Sequence, residues 1–541
     1  MQASALQRHN IVLVVVLLTL LFSLTYFRHA TTYQVEIPPV NDLQLPLEQQ
    51  SKSSTTDPSS RVNISPPPPL KQLKDDINDA ICNNVDFNWL TSDREYWDGW
   101  ASKAMFMKSE GNYTRKDVTI TAGESICVVV MLGPIPAVSA IRPERHFAPA
   151  DSITIHAIGD SVKIPITLEQ HAKHSNVYYS SVFFTHPDTY TLKSTTEYRS
   201  YFWETPIYHP YRPFTYYSHN NLIVNTLPLQ TIVDNNKKPP QPSCNGNILS
   251  GSWVNKTAYQ QLHPLDFYGM FGEAQEDHAA DDRLFVPDQC RMDYISTSQA
   301  IQCLEGKTFH IWGDNNMKRN LKAFSVPNWC SRRTININNS EDNQRCICND
   351  DNDDFNDGEW ATDGNAPLVL QNTWHNDLSF YFNPIGSITM EDWRQKVKDR
   401  AAQQPHADIV IISLGNDDIP LSRMTPRQFW NSFMDLATIL LNEVYPDQIV
   451  IFRTPQYFSG GTISGSSWNS GRSRAFATVV RHAVKQFARQ RKGILLWDVH
   501  RLGIEDNTCV GSGSAYTKRS VVNIENLLLW NLMCPTSSSS S

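Results

Sequence analysis

Three short clusters hold the side chains best suited to chemistry: Gly313-Asp314-Asn315, Gly415-Asn416-Asp417 and Asp498-Val499-His500. Each follows an apolar run, namely Phe309-His310-Ile311-Trp312, Ala407 to Leu414 and Ile494 to Trp497. Carboxylates, amides and an imidazole in such places act as acids, bases or hydrogen-bonding groups for a ligand. They also make ordinary turns and helix caps, so one cluster alone decides nothing. Three at one sheet edge favour a real or ancestral site. A fourth candidate, Gly159-Asp160-Ser161, contains a serine, but a nucleophile turn passes from a buried strand into a helix. Here apolar and polar residues alternate from Ser161 to Leu168 around Pro165, which reads as a hairpin turn. Asp353 to Gly358 has the look of a calcium loop, yet Phe355 falls at a ligand position and Gly364 replaces the terminal Glu. It reads as a polar surface loop. Cys346-Ile347-Cys348 has no second Cys or His pair at ligand spacing. No metal and no cofactor is expected.

The elements that carry these clusters alternate. Phe309–Trp312 is a short strand before a helix at Met317 to Phe324, and Ala407 to Leu414 is a buried strand. Thr425-Pro426 is an N-cap followed by proline at the first helical position, opening a helix to about Val444. A strand at Gln448 to Phe452, a helix at Arg472 to Arg489, a strand at Ile494 to Trp497 and a helix at Val521 to Met533 complete the series. Repeated β-α units imply a parallel sheet covered by helices, whose ligands sit at the carboxyl ends of the strands. Upstream, from about Val85 to Thr231, the pattern is β. Ile126 to Leu132, Ile153-x-Ile155, Val162 to Leu168, Tyr178 to Phe184 and Tyr190 to Leu192 recur with turn signals between them, as in an antiparallel sandwich. Pro239, Pro240 and Pro242 mark a linker at 235–243.

The chain has 541 residues with a formal net charge of −8, and 40% of its residues are hydrophobic. That supports real cores and excludes a coiled coil, a collagen, a multispanning membrane protein and a wholly disordered chain. No long basic run exists, so the electrostatic footprint of a nucleic-acid binder is missing. Ile11 to Phe27 is an uncharged apolar run between Arg8 and Arg28, at the lower edge of spanning length. It reads as a signal anchor after a short cytoplasmic tail at 1–10, with a cleaved signal peptide as the alternative. The Pro/Ser/Gln-rich residues 28–79 read as a stalk. The remainder is then expected to face the lumen or the exterior, with the Golgi or secretory pathway as its location. Ten cysteines agree with that placement: Cys82, Cys127, Cys244, Cys290, Cys303, Cys330, Cys346, Cys348, Cys509 and Cys534. In an oxidising compartment they read as disulfides, at least one within Cys244 to Cys348. Asn63, Asn112, Asn255 and Asn338 head N-x-S/T sequons, at about the frequency that chance gives in so Asn/Ser/Thr-rich a chain.

The block Cys303-Leu304-x-Gly306-Lys307-Thr308-Phe309-x-Ile311-x-Gly313-Asp314-Asn315-x-x-x-Arg319-Asn320 resembles the nucleophile block of PC-esterase domains. These domains occur in neurexophilin and PC-esterase (NXPE) proteins and in plant trichome-birefringence-like acetyltransferases. Gly251-Ser252-Trp253, Val286-Pro287-Asp288-Gln289-Cys290, Arg453-Thr454-Pro455 and Asn526 to Cys534 are similar to other blocks of the NXPE family. The resemblance covers roughly residues 80 to 535. It implies a multidomain chain: an N-terminal β-sandwich, Ig-like and of neurexophilin type, at 80–234, and an SGNH-hydrolase-like α/β domain at 244–535. That second domain is expected to have three layers about a parallel sheet, with a short Ser tail after it.

The resemblance also implies a serine in a G-D-S turn, a later Asp-x-x-His that activates it, and main-chain or Asn donors for the oxyanion. In this chain the serine position is Asn315, and an amide is no acyl nucleophile. The Asp-x-x-His-Pro block is absent, since Gly503 to Ser520 contains no histidine. Asp498 matches the strand-end Asp, which puts His500 too early, and only Asn416 keeps an oxyanion-donor type. The expectation is a single-pass lumenal or extracellular protein, attached to the membrane by one N-terminal helix. It binds a glycan or a protein without hydrolysis, a glycan or glycoprotein being the candidate ligand. The alternative is a glycan acyl esterase or O-acetyltransferase with a rebuilt site using His500 or Asp498. A Ser, Thr or Cys within hydrogen-bond reach of His500 would favour that alternative.

Overall fold

The computed structural model describes residues 81–85, 103–108, 115–133, 151–171, 174, 176–199, 213–226, 244, 250–262, 283–293, 295–325, 368–371, 378–388, 393–419, 424–458, 468–503, 508–510, 515–517 and 519–534. All of them belong to one compact unit, Pro58–Ser541. The span expected at Ile11 to Phe27, the stalk, the sequons at Asn63, Asn112 and Asn338, the loop at Asp353 and the side chains of Cys330, Cys346, Cys348 and Cys509 lie outside the described residues. Among the described residues no helix is long and apolar enough to cross a membrane.

The first half of the described chain is all strands: β1 (Lys103–Met107), β2 (Val118–Thr121), β3 (Glu124–Met131), β4 (Ser152–Ile158), β5 (Val162–Pro165), β6 (Glu169–Gln170), β7 (Val177–Phe184), β8 (Asp188–Tyr198), β9 (Phe214–Tyr217), β10 (Leu222–Asn225), β11 (Gly251–Asn255) and β12 (Arg283–Pro287). They form one sheet in the order β1-β3-β7-β6 and a second in the order β12-β11-β5-β4-β8-β10-β2, with β9 beside β8. Strand alternation sends Phe106, Val128, Val130 and Phe184 of the first sheet against Ile155, Ile164, Leu192 and Val224 of the second, in a shared core. The opposite face of the first sheet is covered too, where Met105, Val129 and Met131 pack with Cys82 and Val85. The Cys82–Cys127 disulfide pins that covering turn to β3. Gly159 to Ser161 is the β4–β5 hairpin turn that the alternation indicates, closed by Gly159 N donating to Val162 O at 2.8 Å.

The β11–β12 hairpin follows the proline-rich segment read as a linker, yet it pairs with β5 and extends the β sheet past residue 243. Both of its faces are apolar, which explains this. Val254 and Leu284 enter the core between the β sheets, whereas Trp253 and Phe285 enter the core of the α/β half. The hairpin is a wall common to both halves. The Cys244–Cys290 disulfide closes its base.

The second half supplies β13 (Thr308–Gly313), β14 (Leu368–Gln371), β15 (Ser379–Pro384), β16 (Ile409–Ser413), β17 (Ile449–Arg453) and β18 (Ile494–Trp497). Its helices, together with a short one in the β half, are α1 (Lys256–Leu262), α2 (Thr297–Cys303), α3 (Asn315–Ser325), α4 (Trp393–Ala402), α5 (Pro426–Ile439), α6 (Ser470–Gln490) and α7 (Arg519–Met533). Five strands are parallel in the order β15-β13-β16-β17-β18, and β14 adds an antiparallel edge. The sheet is buried on both sides, as its unbroken apolar runs require. Val410, Ile412, Val450 and Phe452 face α4, α5 and α6, while Ile409, Ile411 and Ile451 face α2, α3 and α7. Thr425 and Gln428 form a reciprocal capping box ahead of Pro426, so α5 starts where the sequence places it. Its expected end at Val444 is a π turn over Leu440–Val444. The Cys303–Cys534 disulfide ties the end of α2 to the residue after α7.

Candidate functional site

The chain runs from β13 out to β15 on one side and then crosses back over β13 to β16 on the other, so the topological switch point lies between the carboxyl ends of β13 and β16. Two of the three clusters flank it. Asp314 Oδ1 accepts from the amides of Asn316 at 2.9 Å and Met317 at 3.2 Å, which caps α3. Asn315 is then the first helical residue and is exposed. Gly415 adopts φ +107°, and a Cβ there would meet the Phe429 ring at 2.7 Å, so the turn into Asn416 requires glycine. Asn416 is buried, and its Oδ1 accepts from Gln456 N at 2.8 Å. Its Nδ2 and Asp314 Oδ2 are both buried without a well-formed hydrogen bond, although the Asn416 amide is near enough to favour the Asp314 carboxylate.

Three carboxyls crowd this point. Burial pushes Asp314 up, against the opposing pull of Arg453. Asp417 is pushed up to about 8 by burial and by the charges of Asp314 and Asp418. Asp418 rises to about 7 through burial, opposed by hydrogen bonds from Ser387 and the Ile388 amide. This crowding disfavours ionisation of the three carboxyls together, and the residue at the Asn315 position is an amide, with no hydroxyl or thiol to act as a nucleophile. Among the described residues, no group of three His, Cys, Asp or Glu side chains is placed to hold a metal ion.

The third cluster lies two strands away, after β18. Asp498 is buried and gripped by Arg481 of α6, Nε at 2.7 Å and Nη2 at 3.0 Å, with Arg501 Nε at 3.5 Å. Burial alone would raise its pKa, but the charge and hydrogen bonds of Arg481, aided by Arg501 and His500, hold it below the usual carboxylate range. Thr454 Oγ1 donates to Asp498 and accepts from the His500 amide. The His500 ring is buried, edge-on to Tyr457. Its Nδ1 faces Arg481 Nη2 at 3.4 Å, and its Nε2 faces Ser473 Oγ at 3.4 Å.

That order opposes catalysis. A base histidine donates Nδ1–H to a carboxylate and keeps a lone pair on Nε2 for the nucleophile. Arginine offers only donors, so Arg481 on the Nδ1 side of His500 cannot accept the ring proton as a triad carboxylate does. Asp498 and His500 are thus brought together, but the guanidinium occupies the place where the carboxylate would orient the imidazole. Ser473 is fully buried, donating to Ser470 O and accepting from Phe458 N.

Sequence reasoning missed Asp418, Arg481 and Ser473. Asp418 directly follows a quoted cluster and was within reach of the strand-end argument. Arg481 and Ser473 lie inside a helix with nothing local to single them out. Also missed was a cavity of about 470 Å³ between the β half and the ends of β17 and β18, which Tyr457, Ser470, Arg474 and His500 line from one side. Of the strand-end positions singled out above, only His500 borders it.

No family model matches the chain, and no curated protein does. Among solved structures, Est24, a carbohydrate acetylesterase from Sinorhizobium meliloti, matches 42% of this chain and 96% of its own at 12% identity and a TM-score of 0.24. The native aryl esterase of M. smegmatis matches 42% of this chain and 96% of its own at 14% identity and a TM-score of 0.23. Likeness at this level assigns no activity, substrate or residue role.

Proposed function

We propose that this chain is a single-pass, lumen-facing protein of the NXPE type, whose SGNH-like α/β domain binds a ligand and does not hydrolyse it. Its β half corresponds to the Ig-like, neurexophilin-type domain of that family. The motif blocks support the family reading, together with the five-strand parallel order. One observation carries the inert reading: Arg481 occupies both the Asp498 carboxylate and the Nδ1 side of His500. Asn315 at the nucleophile position agrees with it. The test is labelling of the purified protein with a fluorophosphonate, alongside turnover of p-nitrophenyl acetate and acetylated glycans. No adduct and no turnover are expected. The second reading, an acyl esterase or O-acetyltransferase, draws on Ser473 Oγ at 3.4 Å from His500 Nε2. An adduct on Ser473, with turnover lost in Ser473→Ala, would establish that reading and overturn the first.

A further inference from the structure

We propose that the cavity between the β half and the parallel sheet is a binding site for a short neutral saccharide. The proposal rests on the non-catalytic reading and states where that ligand sits. The cavity volume, about 470 Å³, is in the range of small-molecule sites. One wall is aliphatic, formed by Ile155, Ile164 and Ile166, and suits the C–H face of a sugar ring. Other parts of the lining are polar, including Ser180 and Ser250, the latter hydrogen-bonded to Asp288. A fatty chain would withdraw this polar edge, with the Asp288 carboxyl, from water, which is unfavourable for polar groups.

Asp151, Arg474 and Arg501 at the cavity each already face an opposite charge within the protein. Asp151 is held by Arg199 at 3.0 Å and by the Tyr178 hydroxyl at 2.7 Å. Arg474 pairs with Glu169 at 2.6 Å, and Arg501 lies 3.5 Å from Asp498. An ionic ligand would have to compete with these pairs, and breaking a buried pair is strongly destabilising. A neutral polyol meets no such penalty. Asp288, raised to about 6 by burial against a hydrogen bond from Ser250, accepts from sugar hydroxyls as a carboxylate and can also donate below that pH.

The experiment uses the purified full chain, with saturation-transfer NMR and calorimetry against lactose, cellobiose and chitobiose, their charged counterparts sialyllactose and a glucuronyl disaccharide, and palmitate. At least one neutral disaccharide should bind, with the charged sugars and palmitate at least tenfold weaker. Thr167→Trp places a large ring in the cavity from its partly exposed edge. It should weaken binding at least tenfold without moving the thermal midpoint. Asp288→Asn keeps the volume and should weaken binding several-fold. Failure of every neutral sugar, a preference for charged sugars or palmitate, or unchanged affinity in Thr167→Trp overturns the site. Ester turnover would refute the inert reading alone, since it leaves the saccharide measurements unaltered.

Discussion

Glu197 offers the sharpest perturbation of how the two halves are joined. It lies in β8, is 1% exposed, and reaches across to the N-terminus of α6. Its Oε2 accepts from Ser470 N at 2.8 Å, Ser470 Oγ at 2.6 Å and Ser152 Oγ at 2.6 Å. Gly471 N donates to Ser152 Oγ at 2.7 Å, and a Cβ on Gly471 would meet Ser152 Oγ at the same 2.7 Å. A carboxylate at a helix N-terminus is favourable through both the orphan amides and the helix dipole. Glu197→Ala removes three charge-assisted bonds. The two hydroxyls can re-pair, because Ser152 Oγ is 3.2 Å from Ser470 Oγ and 3.3 Å from Asn469 Oδ1. The Ser470 amide cannot. Hydrogen bonds to charged groups contribute about 1.5–3 kcal/mol each and do not add fully, so the expected loss is about 3–5 kcal/mol. Glu197→Gln keeps the volume and one acceptor, and should lose about 1–2 kcal/mol. Denaturant unfolding gives the totals, and hydrogen exchange at Ser470 to Arg472 locates them, since protection there should fall well before that of β16. If Glu197→Ala costs under 1 kcal/mol, or leaves exchange at Ser470 unchanged, the two halves are not joined through this carboxylate.

Asp417 has a folded pKa of about 8, above its unfolded value of 3.8. Its contribution is therefore complete below pH 3.8 and lost as pH rises toward 8, and Asp417→Asn should be more stable than wild type at pH 8 than at pH 5. The gain is below the roughly 1.4 kcal/mol per pKa unit of a fully buried group, because Asp417 is partly exposed; equal effects at both pH values would refute the crowding. Tyr445 is buried, and its hydroxyl accepts from Trp312 Nε1 at 2.8 Å and meets His310 Nδ1 at 2.8 Å. Tyr445→Phe should cost about 1–3 kcal/mol in chemical unfolding, because it strands a buried indole N–H. Cys303 and Cys534 are 231 residues apart in sequence. Replacing both with serine should lower stability by up to about 5 kcal/mol, and peptide mapping of the secreted-form protein should recover the Cys303–Cys534 and Cys244–Cys290 pairs.

The parallel sheet was legible because its strands are buried on both faces, so ADIVIISL and ILLW read as runs with no alternation to mislead. Capping chemistry made the start of α5 legible in the same way. The β11–β12 hairpin was not, since Gly251-Ser252-Trp253-Val254 has apolar side chains for two different cores, and a local pattern cannot say that two cores exist. β15 was missed for a different reason: Phe380-Tyr381-Phe382 is a short apolar run inside a long polar stretch, although Asn383-Pro384 after it marks a turn. At the site, Asp314, Asn416 and Asp498 follow β13, β16 and β18, and residues at strand ends share an edge in any parallel sheet. The sequence could not pair Asp498 with Arg481. That contact depends on the rotation of α6 over β17 and β18, which only packing sets.

The Arg481 contact also bears on what restoring a serine would achieve. Asn315→Ser adds a hydroxyl at an exposed first helical position after β13, whereas among the described residues the one imidazole at the carboxyl ends of the parallel strands follows β18, two strands beyond β16. His500 stays tied to Arg481 and Ser473. The new hydroxyl would remain near its free pKa and be a weak nucleophile. Members of a catalytic triad act as a unit, so one returned residue recovers little of the rate. Freeing His500 requires removing Arg481 as well, and that leaves the buried Asp498 carboxylate without its main counter-charge, at a cost of about 3–5 kcal/mol. Using His500 as a base would therefore cost stability as well as require a new nucleophile. In the proposed binding role the same arginine is an asset, because it fixes Asp498 and the Tyr457–His500 wall of the cavity.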